Sequence, residues 1–175
     1  MTTLVPTAVG DARLTRFAAT GRRRASLVLG HGAGGGIEAP DLRALATALP
    51  AQGVEVVLVE QPWRVAGKRI AAAPKTLDVA WIAVIEYLCS QAGPGFDADI
   101  DAGAAARPVP LIVGGRSAGA RVACRTGKAS GACAVLALAF PLHPPGRPEK
   151  SRFAELAGTG LPTLVVQGAT DPFGT

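Results

Sequence analysis

A serine flanked by small residues is the strongest chemical feature of this sequence. Ser117 lies in the pentapeptide Gly115-Arg116-Ser117-Ala118-Gly119, a GxSxG pattern that directly follows the apolar run PLIVG. Between a strand and a helix, the glycines permit a sharp turn that lifts the serine hydroxyl above the edge of a sheet. The pattern predicts a nucleophile for acyl transfer. The alternative interpretation is an ordinary serine at a helix N-cap.

A glycine-rich segment, LGHGAGGG at residues 29–36, follows an earlier apolar run. Such a loop exposes backbone N–H groups, and an oxyanion hole needs two of them near the nucleophile. We predict that Ala33 supplies one of these donors. Ala118 supplies the other, because it opens the helix that follows the serine.

The same glycines also match a dinucleotide-binding pattern. Gly30, Gly32 and Gly35 fit GxGxxG after a strand, and Glu60 ends the next apolar run where a ribose-binding acid would stand. Pro40 places the predicted helix start several residues beyond the last glycine, although the dinucleotide motif needs that glycine at the helix opening. An oxyanion loop is therefore the favoured interpretation, and dinucleotide binding is the alternative.

A carboxylate ends the last apolar run, VVQGATD at residues 165–171. In hydrolases whose catalytic residues follow the chain order serine, acid, histidine, Asp171 stands where the acid belongs. The alternative role for Asp171 is a turn former, because an Asp-Pro pair favours turns.

His31 and His143 are the only histidines. We expect His31 to shape the glycine-rich loop and His143, in PLHPPG, to lie at the same sheet edge as Ser117. Together with Arg116, they are candidates for lining the pocket, and neither is the expected general base. Arg116 could bind a carboxylate or form a salt bridge within the fold. Without a base, a serine hydroxyl is a poor nucleophile near neutral pH.

The elements that must position these residues alternate along the chain. Two short runs at residues 3–18 flank a Gly-Asp turn and predict an antiparallel hairpin. Near-continuous apolar runs at 26–30, 54–60, 110–114, 134–140 and 162–168 predict buried strands. Helical stretches are expected at 40–49, 77–91, 118–128 and 148–156. The pattern indicates one α/β domain over residues 1–175, with a mostly parallel sheet flanked by helices.

Composition narrows the class of protein. Hydrophobic residues make up 49% and charged residues 18%, which favours a compact globular fold. The longest apolar run, residues 132–142, is far shorter than the ~20 residues of a membrane helix. No membrane span and no secretory signal are predicted, so the cytoplasm is the expected location. The net charge is +5, but the only basic run, residues 22–24, lacks interleaved aromatics, and nucleic-acid binding is not expected.

Neither metal nor cofactor is predicted. Cys89, Cys124 and Cys133 fall in apolar stretches without metal-ligand spacing, and we expect buried, reduced thiols. Residues 93–108 include acids spaced as DxDxD, but the glycine and the closing glutamate of a calcium loop are missing. This segment is predicted to be an exposed loop.

The motifs and their order resemble the α/β-hydrolase superfamily. Within it, LVLGHGAGGG, QPWRVAGKR, GGRSAGARVACR and FPLHPPGRPEKSR resemble the KANL3/Tex30-like group, which is related to dienelactone-hydrolase-type enzymes. The resemblance implies Ser117 as nucleophile, Asp171 as acid, and Ala33 and Ala118 as oxyanion donors. In the superfamily the catalytic histidine follows the last strand. Because the sequence ends at Thr175, we expect a domain truncated at its C-terminus, without its last strand and helix.

Two functional hypotheses follow. The first is a serine hydrolase that cleaves a small-molecule ester or thioester without a cofactor and takes its histidine from beyond the present C-terminus. The second is a non-catalytic module of the same fold that binds a protein partner.

Overall fold

Seven strands form one sheet in the computed structural model, which describes residues 1–91 and 109–174. The strands are β1 (Thr2–Thr7), β2 (Gly10–Phe17), β3 (Ala25–Gly30), β4 (Val54–Glu60), β5 (Leu111–Arg116), β6 (Ala134–Leu138) and β7 (Thr163–Val166). Their order is β1-β2-β4-β3-β5-β6-β7, with β1 and β2 antiparallel and the other five parallel. This confirms the predicted α/β fold with its N-terminal hairpin. The predicted loop at 93–108 lies outside the described residues.

Five helices connect the strands within the described ranges. They are α1 (Pro40–Ala48), α2 (Pro62–Val65), α3 (Pro74–Gln91), α4 (Ala118–Thr126) and α5 (Phe153–Ala157). The helix predicted at 148–156 is shorter than expected and begins only at Phe153. The sequence patterns also did not predict α2 or the 3₁₀ turn at Pro50–Gln52. Short helices of this kind bury few side chains and therefore leave little periodicity to detect.

The apolar strands are buried because helices cover both faces of the sheet. Leu27 and Leu29 of β3 face α1, where they pack with Leu42. Val28, between them, faces the other side and packs in the cluster that contains Trp81 of α3. Successive side chains of a strand point to opposite faces, so a strand covered on both sides reads as a continuous apolar run. Trp81 is fully buried, as expected of a core residue.

One face of the sheet is left open at the β7 edge. Leu164 and Val166 of β7 are 64% and 52% exposed. Leu164 also lines an apolar cavity of about 500 Å³, together with Ile112 and Leu136. Helix α1 packs against β4, at the other end of this face. The structure therefore combines a covered half and an uncovered half on the same side of one sheet.

Two of the three cysteines depart from the prediction. Cys124 is buried, and this burial raises the pKa of its thiol to about 11. Cys89 and Cys133 are exposed, although both lie in apolar stretches. Cys89 is in the last turn of α3, where its neighbours Ser90 and Gln91 also face solvent. All three cysteines are free thiols.

None of the helices in the described ranges is both long and apolar enough to cross a bilayer.

Candidate active site

Ser117 occupies the sharp turn between β5 and α4 in an unusual backbone conformation. Its φ is 52° and its ψ is −108°, a combination that non-glycine residues rarely adopt. Such a residue costs roughly 1–3 kcal/mol and persists only when its surroundings hold it in place. One restraint is the Ser117 N–H, which donates to the carbonyl of Leu138 at 2.9 Å, at the end of the neighbouring strand β6.

Glycines let this turn pack directly against the end of β3. A Cβ on Gly119 would lie 2.5 Å from the carbonyl carbon and oxygen of Gly30, and one on Gly115 would lie 2.5 Å from the same oxygen. No side chain could fit at either position without moving backbone. The Gly119 N–H also donates to the His31 carbonyl at 3.0 Å. The serine turn is thus held against the start of the glycine-rich loop by close packing and by this hydrogen bond.

Several backbone donors near the serine have no acceptor within the described ranges. They include the N–H groups of Ala33 and Ala118. Ala33 and Ser117 line the same cavity of about 760 Å³, while Ala33 and Ala118 both line a small adjoining cavity. A Cβ on Gly32 would lie 3.5 Å from the Ser117 Cβ, so the loop runs directly beside Ser117. Unpaired N–H groups beside a serine are suited to bind an oxyanion.

His31 holds the glycine-rich loop and lines the small adjoining cavity, but not the larger cavity that Ser117 lines. Its Nδ1 is 2.8 Å from the Gly32 carbonyl, and its Nε2 accepts the Gln61 N–H at 3.1 Å. The proton therefore lies on Nδ1, and both ring nitrogens are engaged. Burial lowers the pKa of the ring, against weaker opposing effects from the Gly32 hydrogen bond and Glu60. His31 is thus a neutral structural residue, also packed against Trp63 with ring centroids 5.6 Å apart.

The hydrogen bond from His31 also orients a predicted oxyanion donor. The Gly32 carbonyl and the Ala33 N–H belong to one peptide unit and point in opposite directions when the bond is trans. By holding the carbonyl, the imidazole turns the Ala33 N–H away from itself. Gly32, on one side of this peptide, would otherwise leave it freer to rotate.

Asp171 follows β7 and lines the same cavity as Ser117. Its Oδ1 accepts the Phe173 N–H at 2.9 Å, and its Oδ2 accepts Nε2 of Gln167 at 3.1 Å. The first bond is that of an aspartate turn, and the second fixes the carboxylate on the cavity side of the strand end. Both interpretations of Asp171 are compatible with this arrangement. Gln167 was not singled out in the sequence, because only the fold shows that it reaches Asp171.

His143 lies outside the cavity lining. Its backbone N–H donates to the Phe173 carbonyl at 3.1 Å, and its Nδ1 is 2.9 Å from the Pro144 carbonyl. The residue therefore ties the loop after β6 to the loop that carries Asp171. Among the residues described by the structure, no histidine lines the cavity that contains Ser117.

Arg116 precedes the serine and lines the cavity. Its Nη1 donates to Oδ2 of Asp41 at 2.6 Å, in the first turn of α1. This contact spans 75 positions of sequence, and nothing in the sequence pattern pointed to Asp41 as a partner.

The glycine-rich loop does not have the geometry of a dinucleotide-binding motif. Helix α1 begins at Pro40, so Gly35 does not open a helix as the dinucleotide motif requires. No group of three or more metal-ligating side chains was found in ranges 1–91 and 109–174.

Comparisons with known proteins agree on the fold. A family model described as an alpha/beta hydrolase domain matches residues 23–175. None of the curated proteins matches the chain significantly. A lidless α/β serine hydrolase from Xanthomonas campestris is similar in structure, with a TM-score of 0.67 and 19% identity over 96% of this chain and 70% of that one.

Two further solved structures are similar over most of the chain. An α/β serine hydrolase homologue from Coxiella burnetii has a TM-score of 0.72 at 15% identity, covering 96% of this chain and 73% of that one. A dienelactone hydrolase from Anabaena variabilis has a TM-score of 0.67 at 16% identity, covering 98% and 74%. At these identities the likeness concerns the fold.

Proposed function

The chain belongs to the α/β-hydrolase domain family, and from that premise we propose that it is a serine hydrolase acting on an ester or thioester. Ser117 is the nucleophile, and the N–H groups of Ala33 and Ala118 bind the oxyanion. Asp171 is the acid that orients a catalytic histidine. Within the family, the sequence motifs favour the KANL3/Tex30-like group.

The observation that carries this proposal is the backbone of Ser117. A non-glycine residue at φ 52° and ψ −108° is under strain, and strain of this kind is concentrated at functional sites. An N-cap serine would need no such conformation, and the Ser117 side chain caps no N–H of α4 in this structure. The unpaired N–H groups of Ala33 and Ala118 also support the proposal, because they are available to bind an oxyanion.

The reaction would proceed by acyl transfer. The Ser117 Oγ attacks the carbonyl carbon and transfers its proton to a histidine, and the negative charge that forms on the carbonyl oxygen is bound by the two N–H groups. The protonated histidine then gives its proton to the leaving alcohol or thiol, and water releases the acyl group from Ser117. We propose that this histidine follows residue 175. The chain covers 70–74% of the length of the three similar structures compared above.

A fluorophosphonate probe tests the nucleophile directly. We expect the protein expressed from its whole reading frame to be labelled at Ser117, with labelling lost in Ser117→Ala and retained in Ser90→Ala, which removes an exposed serine on α3. Asp171→Asn should slow labelling strongly, because the histidine would lose its orienting partner. Folded protein that stays unlabelled would contradict the proposal.

A non-catalytic, partner-binding module is the second candidate. It is favoured by one observation, the lack of a histidine in the cavity lining within the described ranges. Hydrolysis of p-nitrophenyl acetate that disappears in Ser117→Ala would exclude it. A reading frame that supplies no histidine after β7, together with inert Ser117, would favour it.

A further inference from the structure

The cavity beside Ser117 contains one cationic side chain within the described ranges, that of Arg116. The backbone position of Arg116 is fixed, because it is the last residue of β5 and immediately precedes the strained serine turn. A group bound by this guanidinium would therefore lie in the same cavity as a carbonyl attacked by Ser117.

The guanidinium keeps unused hydrogen-bonding capacity. Arginine has five N–H donors, and one nitrogen, Nη1, donates to Asp41. Among the described residues Nε and Nη2 have no acceptor, and the side chain is 43% exposed. Arginine binds carboxylates through two parallel N–H···O bonds, and the Nε–Nη2 edge is one of the pairs that can do so.

The rest of the wall leaves room for a short anionic group. Most lining residues are glycine or alanine, and the first residue of α1, Pro40, also borders the cavity. A helix N-terminus adds a partial positive charge on that side. The acids are already engaged: Asp41 binds Arg116 and the Leu42 N–H, and Asp171 accepts two hydrogen bonds.

We propose that Arg116 is a specificity-determining residue that selects acyl groups carrying a second carboxylate, such as short dicarboxylic acid monoesters or monothioesters. Asp41 holds the guanidinium in place through Nη1 and partly offsets its charge, while the Nε–Nη2 edge receives the substrate carboxylate. This inference rests on the proposed hydrolase function, because it assigns the substrate class of the same site.

Binding of glutarate tests the subsite without requiring catalysis. Titration calorimetry should show that glutarate binds more tightly than glutaramide, which has the same length without the charge. Arg116→Gln should weaken glutarate binding about tenfold or more, since it removes a charge-assisted bond. Asp41→Asn should strengthen it severalfold, because the asparagine oxygen can still accept the Nη1 hydrogen bond while the competing negative charge is removed. Arg147→Gln, an exposed arginine outside the cavity, is the control for net charge, and its Kd should stay within about twofold of the wild type.

The two variants are expected to change the Kd for glutarate in opposite directions, so one of them can test the proposal without the other. If Arg116→Gln fails to fold, a tighter Kd in Asp41→Asn still supports the subsite, and an unchanged or weaker Kd overturns it. Equal affinity for glutarate and glutaramide in the wild type also overturns it.

Kinetics separate this inference from the proposed function. The protein from the whole reading frame should hydrolyse p-nitrophenyl hemiglutarate with a higher kcat/KM than p-nitrophenyl valerate, and Arg116→Gln should remove that preference. Hydrolysis of both esters at equal kcat/KM would overturn the anionic selectivity alone. Glutarate binding without any hydrolysis or probe labelling would contradict the serine hydrolase and leave an anion-binding site at Arg116.

Discussion

The strain at Ser117 belongs to the residue itself, so its removal should be measurable as stability. Its backbone conformation is costly for any residue with a Cβ and much less so for glycine. Nucleophile positions in enzymes commonly exchange stability for activity.

We therefore expect Ser117→Gly to be more stable than Ser117→Ala, by about 1 kcal/mol after the extra entropy of glycine in the unfolded chain is counted. Both variants lack the hydroxyl and should be inert to a fluorophosphonate, so the comparison isolates the backbone. Urea unfolding followed by circular dichroism measures the difference. A lower free energy of unfolding for Ser117→Gly would mean that the turn is unstrained.

His31 should make stability depend on pH. Burial lowers the pKa of its ring in the folded state relative to the ordinary value of 6.5. The unfolded chain therefore takes up a proton first as the pH falls. The stabilisation from neutral His31 is complete above pH 6.5 and is lost as the pH falls towards the lowered folded value.

The variant His31→Gln isolates this effect. Between pH 8 and pH 5, the free energy of unfolding should decline more for the wild type than for the variant, since only the wild type has this histidine. Parallel profiles for the wild type and His31→Gln would contradict a lowered pKa at His31.

Sequence patterns identified the candidate site residues, but they did not identify the side chains that contact those residues. The GxSxG and glycine patterns pointed to Ser117 and Ala33 because those residues lie on local turns with known geometry. Gln61, Gln167 and Asp41 escaped notice. Gln61 and Asp41 act through contacts with residues 30 and 75 positions away, which no local pattern encodes. Gln167 is only four positions from Asp171, but the turn that brings the two side chains together is seen only in the fold.

A cluster of ion pairs joins three helices on the face of the sheet opposite α1. Arg125 of α4 donates to both carboxylate oxygens of Asp78 on α3, at 2.6 and 2.9 Å, and also to Glu155 of α5. Arg121 binds Glu155 as well. These side chains are about 20% exposed, so solvent screens them less than it screens surface pairs.

We expect Arg125→Met to lower the free energy of unfolding by about 1–3 kcal/mol, because Asp78 would lose its charge-assisted partner. Arg147→Met should change it by less than about 0.5 kcal/mol, as expected of an exposed surface position. Denaturant unfolding of the two variants provides the comparison. Equal effects would indicate that the cluster contributes nothing specific.

The central strands β3, β4 and β5 were predicted well because they are largely buried and read as apolar runs. Strand β7 was also predicted from its apolar run, although most of its residues are exposed. Helix α5 was placed too early for a different reason. Residues 148–152 turn back towards the loop after β6, where the Arg152 N–H donates to Leu142 and its guanidinium to Pro141. Such distant contacts override local helical preference.

The uncovered half of the sheet affects how the molecule associates with other copies of itself. Leu164 and Val166 present apolar surface at an edge strand, and such edges promote association between chains.

We expect the 175-residue protein to self-associate with increasing concentration and Leu164→Lys to reduce that association. Leu164 is largely exposed, so the change should cost little stability. Ile70→Lys, at a position that is 85% exposed but away from this face, is the control. Sedimentation velocity across a concentration series measures the effect. A wild-type chain that stays monomeric at every concentration would contradict it.

The strand order also implies that the two strands leading to the site open at different rates. Strand β5, which leads to Ser117, is hydrogen-bonded to β3 and β6, whereas β7, which leads to Asp171, pairs only with β6 within the described residues. Amide protons of β7 should therefore exchange with deuterium well before those of β5, because an edge strand can open without the rest of the sheet. The carboxylate is thus carried by the part of the molecule that opens most readily, and the serine by a part that opens only with the core.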